Sequence, residues 1–364
     1  MTGTVVRRVL LARGENLESN TGLGRAHEAV VSLLEKTLVK DWTKAGIIEY
    51  QTKTQILSRV WNRWYKHPSL VESLTQSSTA DLLHITDQEQ AHLVPKNCKI
   101  PVAVTVHDLF HIQPRKIIVE NNTIKVGDMN PNFVRKMDIR KLKEGLKRAD
   151  LLICISESTR QEVKRLFPGK LTALVRHQID VDYWNPENNP KSSEIISEFY
   201  NPEKCLLVTV GSNEPRKRLH LIDTIMSCLP PEVSNEINVV NIGSDLRVTD
   251  DQLVATFQYA DALLFPSVSE GFGYPPAEAM AAGCRVIASD SAAHNEIIPN
   301  ANLLPVGELR AWVDAIERIH TDWKRNLGEP RKPNLKLIEH VREILSPEAH
   351  GIALSNAYDL LFEE

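Results

Sequence analysis

Two carboxylates set eight positions apart, Glu270 and Glu278, flank a turn that holds Gly271 and Gly273. Two cations, Arg216 and Lys217, follow another glycine, Gly211. Together these residue types suit a phosphorylated sugar. Cations neutralise a diphosphate, arginine as a bidentate fork and lysine as a point charge. A helix N-terminus adds free amides that attract phosphate. Carboxylates repel phosphate and instead accept hydrogen bonds from the hydroxyls of a sugar or a ribose. The plain alternative is a solvated loop acid at 270, a helix-start acid at 278 and a solvated turn at 216–217.

The elements around these residues read as strand, glycine loop, helix, strand. Ala262 to Phe265 is a short apolar run ending at Pro266, as a buried parallel strand should. Gly271 and Gly273 bracket Phe272 where backbone can approach a ligand closely. Pro275 and Pro276 suit the first turn of a helix, which needs no amide hydrogen there. The spacing predicts that this helix carries Glu278 in its first turn and stops at Gly283. Residues 284–289, CRVIAS, form the next predicted strand. CLLVTV (205–210) is a buried strand before Gly211, and VVNIG (239–243) is another, ending at Gly243.

The segment 269–289, SEGFGYPPAEAMAAGCRVIAS, resembles the E-x7-E signature of the retaining glycosyltransferases of family 4, which have the GT-B fold. That resemblance implies that Glu270 contacts the donor sugar and that Glu278 binds the ribose. It implies that the amides of Gly271, Phe272, Gly273 and Tyr274 hold sugar and phosphate, with Gly243 on the same donor side. EPRKR (214–218) is similar to the family's G-x-x-E-P-R-K-N, which carries the phosphate-binding role to Lys217 and Arg216. Many members place an arginine directly after the glycine. Ser212 stands there in this chain, so Arg216 is expected to supply the guanidinium. The run VAVTVHDLF (102–110) resembles the family's TIHDL segment and places His107 beside the donor sugar. Asp108 is expected to orient His107 or to bind acceptor hydroxyls. Gly22, Gly24 and Arg25 are similar to a T-G-[IL]-G-R loop opening the first helix. They are expected on the acceptor side, with Arg25 meeting an anionic acceptor or the donor phosphate, or else solvated. Position 27 is His, not a third glycine, so a nicotinamide cofactor is not expected. His177–Gln178 replaces the family's Asn–Gly in the segment 171–184.

The fold class is α/β. The resemblance implies a GT-B architecture of two Rossmann-like domains facing across a cleft. Residues 1–185 would form the acceptor domain and 186–345 the nucleotide-sugar donor domain. A terminal helix, 346–364, would cross back onto the first domain. Predicted elements in the first half are strands at Val5–Ala12, Leu82–Thr86, Val102–Val106 and 151–156, and a helix from about Leu23 to Val39. Ser158 with Gln161 reads as a capping box for the helix after the last of these strands. Asn185–Ser193 reads as the interdomain linker. Between Leu219 and Asp261 the chain is shorter than the family usually allows, and one of its strands is not evident.

Composition is that of a soluble globular protein, 42% hydrophobic and 25% charged over 364 residues. A net charge of −4 gives no whole-chain attraction to nucleic acid. The five cysteines are scattered and lack metal spacing, which fits a reducing cytosol. No membrane-spanning run or signal peptide is read, so a cytoplasmic location is expected, with peripheral contact at the inner face of the membrane. That contact would use the basic stretch 135–148, as a patch for anionic membrane or a lipid-diphosphate acceptor; a solvated helix face is the plain alternative. The aromatic–basic run WNRWYK, Trp61 to Lys66, is expected to pack against its domain rather than touch a membrane.

The resemblance implies a retaining hexosyltransferase. It would move mannose or glucose from a GDP- or UDP-linked donor to a hydroxyl of a glycan, glycolipid or lipid-linked precursor. The residues show no pair of catalytic carboxylates placed across a sugar ring. This agrees with front-face attack, in which the leaving phosphate takes the acceptor proton. No metal and no cofactor are expected. A sugar-nucleotide epimerase or phosphorylase of the same fold, and a non-catalytic nucleotide-sugar-binding protein, are the rivals.

Overall fold

The computed structural model describes residues 6–15, 22–50, 60–243, 246–326 and 330–363. The chain divides into two compact units. The first comprises Met1–Pro114, Gly127–Gln178 and Pro347–Glu364. The second comprises Arg115–Val126 and Ile179–Ser346. The expected divisions at 185 and 345 therefore stand at 178 and 346. Residues 115–126 leave the first half of the chain to join the second unit.

The first unit is built on a six-stranded parallel sheet in the order β2-β1-β3-β4-β7-β8. The strands are β1 (Arg7–Glu15), β2 (Trp42–Tyr50), β3 (Leu82–Ile85), β4 (Val102–Val106), β7 (Leu151–Cys154) and β8 (Leu171–Leu174). All residues of β3, β4 and β7 are buried, because helices cover both faces of such a sheet. Leu83, Ile85, Val104 and Leu152 belong to one core layer, and Val9, Leu11, Leu82 and Ile153 to the other. The terminal helix, Pro347–Asp359, belongs to this unit, as expected. Its Tyr358 is fully buried against Trp42, ring centroids 4.9 Å apart, and meets His84 Nδ1 at 2.7 Å.

The second unit holds a five-stranded parallel sheet in the order β10-β9-β11-β12-β13. The strands are β9 (Cys205–Val210), β10 (Ile237–Ile242), β11 (Ala262–Phe265), β12 (Val286–Ser289) and β13 (Leu303–Leu304). Helix Leu309–Arg325 packs its buried Trp312, Ile316 and Ile319 on this sheet. An antiparallel hairpin, β5 (Arg115–Val119) and β6 (Asn122–Val126), completes the unit. Its Val119 and Ile124 share a small core with Val268.

Several local expectations shift. The first strand runs Arg7–Glu15, and Val5 lies outside the described residues. The first helix is Gly22–Glu35, ending before Val39 because Thr37 takes a left-handed φ of 57°. The helix after β7 is Glu157–Leu166 and is capped by Ser156, whose Oγ accepts from Thr159 N–H at 3.1 Å, not by Ser158. Of the run 61–66, Trp64 is anchored by its Nε1–H to Asp138 at 3.3 Å. Trp61 does not pack inward; it is 61% exposed and stacks on Tyr65.

Candidate functional site

The strand ends of the second unit gather most of the donor-side residues. Gly211 directly follows β9 and Gly243 directly follows β10, and the two turns touch. A side chain at Gly243, whose φ is +99°, would meet the Gly211 carbonyl at 3.1 Å. After Gly211 the chain forms a short turn, Pro215–Lys217. There Arg216 and Lys217 converge on Glu270, which follows β11. Arg216 Nη1 lies 2.7 Å from Glu270 Oε2 and Lys217 Nζ 2.7 Å from Glu270 Oε1. Ser267 Oγ donates to Oε1 at 2.7 Å. Glu214 braces the far side of Arg216 at 2.8 Å and accepts from Ser212 Oγ. Thus Ser212, standing where many members have arginine, supports Arg216 through Glu214.

Burial alone would raise the Glu270 pKa. The charges of Lys217 and Arg216 outweigh it and pull the carboxyl down to about 2, so it stays ionised at neutral pH. A carboxylate offers about four lone-pair sites, and three are occupied by Arg216, Lys217 and Ser267. The Lys217 ammonium has three hydrogens and gives one to Glu270. The cluster therefore retains one acceptor position and two donor positions.

The loop beyond Glu270 leads into helix Tyr274–Ala281. Phe272 is buried, and its ring meets the edge of Tyr274 at 5.2 Å. Gly273 is the N-cap residue with φ +115°, a conformation that favours glycine. A Cβ there would also lie 2.9 Å from His294 Cβ. Pro275 and Pro276 occupy the first turn as predicted, but Glu278 does not. It is the fifth helical residue, one turn inside, and only 2% exposed. The helix starts at Tyr274, earlier than the alanine run suggests, which moves Glu278 inward.

Two neighbours of this loop were not singled out from the sequence. His294 is fully buried beneath it, with Nε2–H donating to the Ser289 carbonyl at 2.8 Å. Burial keeps its pKa below the usual value. No sequence pattern marks it. Arg115 of β5 donates from Nη2 to Ser269 Oγ at 3.0 Å and so holds the residue before Glu270. A signal for its hairpin exists: Ile117, Val119, Ile124 and Val126 alternate around a short polar turn.

The first unit treats its predicted residues differently. His107 follows β4 and is 6% exposed. Its Nε2–H donates to the Thr86 carbonyl at 2.9 Å, which leaves Nδ1 to accept from His177 Nε2–H at 3.1 Å. Both ring nitrogens are thereby engaged inside the unit. His177, noted as a departure from the family segment, is thus the partner of His107. Burial, then the charges of His107, His350 and Arg25, hold His177 well below its usual pKa. Asp108 accepts from the Phe110 amide at 3.0 Å in a local turn. Gly22 and Gly24 lie in the first turn of the first helix, and residues 16–21 of their loop lie outside the described residues.

The basic helix Phe133–Arg148 spends part of its charge internally. Arg135 pairs with Glu89 at 2.8 Å and Asp138 at 2.7 Å, and Arg148 donates to the Val94 carbonyl. Phe133, Val134 and Met137 remain exposed. Among the described residues no group of three His, Cys, Asp or Glu side chains is arranged to hold a metal, and no helix is long and apolar enough to cross a membrane.

Two parts of the chain match models of glycosyltransferase families. Residues 32–183 match Glycosyltransferase Family 4, and residues 241–332 match Glycosyl transferases group 1. These two parts thus resemble glycosyltransferase domains, and the two Rossmann-like sheets give the chain a GT-B fold. Among relatives, the O-antigen chain mannosyltransferase RfbU of Salmonella typhimurium is 25% identical over 228 residues. That alignment covers 56% of this chain and 62% of RfbU, so the chain spans about three fifths of that relative's length. Among solved structures, the sucrose-phosphate synthase of Thermosynechococcus elongatus superposes with a TM-score of 0.69 at 18% identity, covering 98% of this chain and 99% of that one. HepE of Anabaena, solved with UDP-glucose, gives 0.61 at 13% identity, with 98% of each chain covered. At these identities the structural likeness concerns the fold.

Proposed function

We propose that this chain transfers a hexose from a GDP- or UDP-linked donor to an acceptor hydroxyl, with the anomeric configuration retained. The observation that carries the reading is the joining of Arg216, Lys217 and Glu270 beside a glycine loop that opens a helix. The amides of the glycine loop and the spare hydrogens of Lys217 are suited to the negative charge that grows on a departing diphosphate. Glu270 holds the two cations in place and keeps one acceptor position for a sugar hydroxyl. Glu278, one turn inside, serves the ribose. His107 acts as a positioning residue, since its ring nitrogens are engaged. Because Arg216, Lys217 and the amides meet the leaving-group charge, the reading invokes no metal.

The names of the relatives support a hexose as the transferred group, and a neighbour solved with UDP-glucose supports a sugar nucleotide as donor. Retention rests on the E-x7-E resemblance. The acceptor is a glycan or a lipid-linked precursor. Exposed Phe133, Val134 and Met137 next to exposed Lys136 and Arg140 support peripheral contact with the anionic inner face of a membrane.

The test is an assay of UDP-, GDP- and ADP-hexoses with and without acceptor sugars. The reading expects release of the nucleoside diphosphate that depends on an acceptor and yields a product of retained configuration. Acceptor-independent hydrolysis, interconversion of the sugar nucleotide, or phosphate-dependent cleavage would replace it with one of the rival GT-B activities. Tight nucleotide binding without any turnover would replace it with a binding role.

A further inference from the structure

The hairpin β5–β6 comes from the first half of the chain but belongs to the second unit. There it supports both segments that form the Glu270 cluster. Val119 and Ile124 share their small core with Val268, two residues before Glu270, and Val306 packs against the same core. Arg218, directly after Lys217, donates from Nη1 to the Val306 carbonyl at 2.8 Å. β6 also lies against the turn Pro215–Lys217. The hairpin thus reaches the turn that carries the cations and the loop that carries the carboxylate.

Ser269 is where these supports meet. Its carbonyl accepts from Arg216 Nη1 at 2.9 Å, and its Oγ accepts from Arg115 Nη2 at 3.0 Å. One residue earlier, the Val268 amide donates to the Arg216 carbonyl at 2.9 Å, and the Val268 carbonyl accepts from Ser291 Oγ at 2.6 Å. Two guanidiniums therefore fix the residue that leads into Glu270, and a hydrogen bond from a charged donor is of the stronger kind. Precision matters at this point. A group that serves a reacting sugar has to be held to within about 0.5 Å, and a displacement of about 1 Å can cost about a hundredfold in rate.

We propose that Arg115 is a positioning residue for glycosyl transfer. From a hairpin outside the signature segments it fixes Ser269, and through Ser269 the carboxylate of Glu270 and the guanidinium of Arg216. The inference rests on the glycosyl-transfer reading for the reaction affected; the fixing of the loop is a property of the second unit itself.

The experiment compares Arg115→Ala, Ser269→Ala and the double variant with the unsubstituted full chain. Steady-state transfer from whichever sugar nucleotide the protein uses gives kcat and KM. Calorimetry gives UDP and GDP affinity, and hydrogen exchange follows the Val268 amide with the amides of β9 as the control. Each single variant should lose about tenfold in kcat. Nucleotide affinity should stay within about threefold, because Lys217 is held in its own turn by the Glu214 carbonyl. The double variant should lose no more than either single one, since both remove the same bond. Val268 should exchange faster in both single variants while β9 is unchanged. Normal kcat in either single variant, losses that add in the double one, or an unchanged Val268 rate overturns the proposal. Ser269→Ala breaks the bond from outside the hairpin, so a misfolded Arg115→Ala protein does not leave the question open. If the unsubstituted protein transfers no sugar, the glycosyl-transfer reading fails, and the Val268 rate alone decides whether Arg115 fixes this loop.

Discussion

The strand ends of the two sheets carry opposite chemistry. In the second unit they bring two cations onto one buried carboxylate, beside glycines that admit backbone close to a ligand. In the first unit Arg13 is already paired with Glu49 at the strand ends, and buried imidazoles such as that of His107 lie beside them. Burial, the largest cause at each site, lowers the pKa of seven histidines there: His27, His67, His84, His92, His107, His177 and His350. A parallel sheet offers the same kind of edge in both cases. The side chains set on that edge decide whether it suits a diphosphate.

Acid should separate the two units most strongly. The folded pKa values of these histidines lie below the ordinary 6.5, at about 3 for His84 and about 4 for His350. The unfolded chain then binds more protons, so the first unit's stability rises with pH and is lost as pH falls below about 6.5. Each such histidine contributes about 1.4 kcal/mol per pH unit once its unfolded form is protonated. Asp87, raised to about 7, and Asp108, also raised, act in the opposite sense but are outnumbered. In the second unit Glu270 is depressed to about 2, so its contribution is present above its ordinary 4.5 and is lost only as pH falls toward 2. Hydrogen exchange, corrected for intrinsic rates, should show β3 and β4 losing protection between pH 6.5 and 4.5 before β9 and β11 do. Simultaneous loss would remove the electrostatic distinction between the units.

The next largest effect is confined to the second unit. Glu270→Ala leaves two largely buried cations without their shared counter-charge, which should cost about 3–5 kcal/mol. Chemical denaturation without nucleotide measures this. Added UDP or GDP should restore more stability to the variant than to the unsubstituted protein, because the diphosphate supplies the missing negative charge. A cost under about 1 kcal/mol would mean that the cluster is solvated, as exposed ion pairs are.

Much of this organisation is readable from residues alone, and the remainder has physical reasons for being hidden. β3, β4, β9 and β11 are short, mostly apolar runs, so their strands stand out. Arg216, Lys217 and Glu270 each follow a strand, which marks them singly. Their union does not show, because 54 residues separate Arg216 from Glu270 and no local period spans that gap. The assignment of 115–126 to the second unit is hidden for the same reason: alternation reveals a hairpin but not the core it joins. The sequence points to a first-turn Glu278, and the structure puts it one turn further in, because Tyr274, a poor guide to helix starts, begins the helix. The His107–His177 bond joins positions 70 apart, and only the departure from the family segment pointed at His177.

The central claim is that the Arg216–Lys217–Glu270 cluster receives a nucleoside diphosphate. The most direct measurement is calorimetric titration of UDP and GDP into the unsubstituted protein and into Lys217→Ala. At least one nucleotide should bind the former. The variant should lose about 1.5–3 kcal/mol of that affinity, the range for hydrogen bonds to charged groups, with its melting behaviour otherwise intact. Equal affinity in a folded Lys217→Ala protein, or no binding of either nucleotide to the unsubstituted chain, would contradict the account.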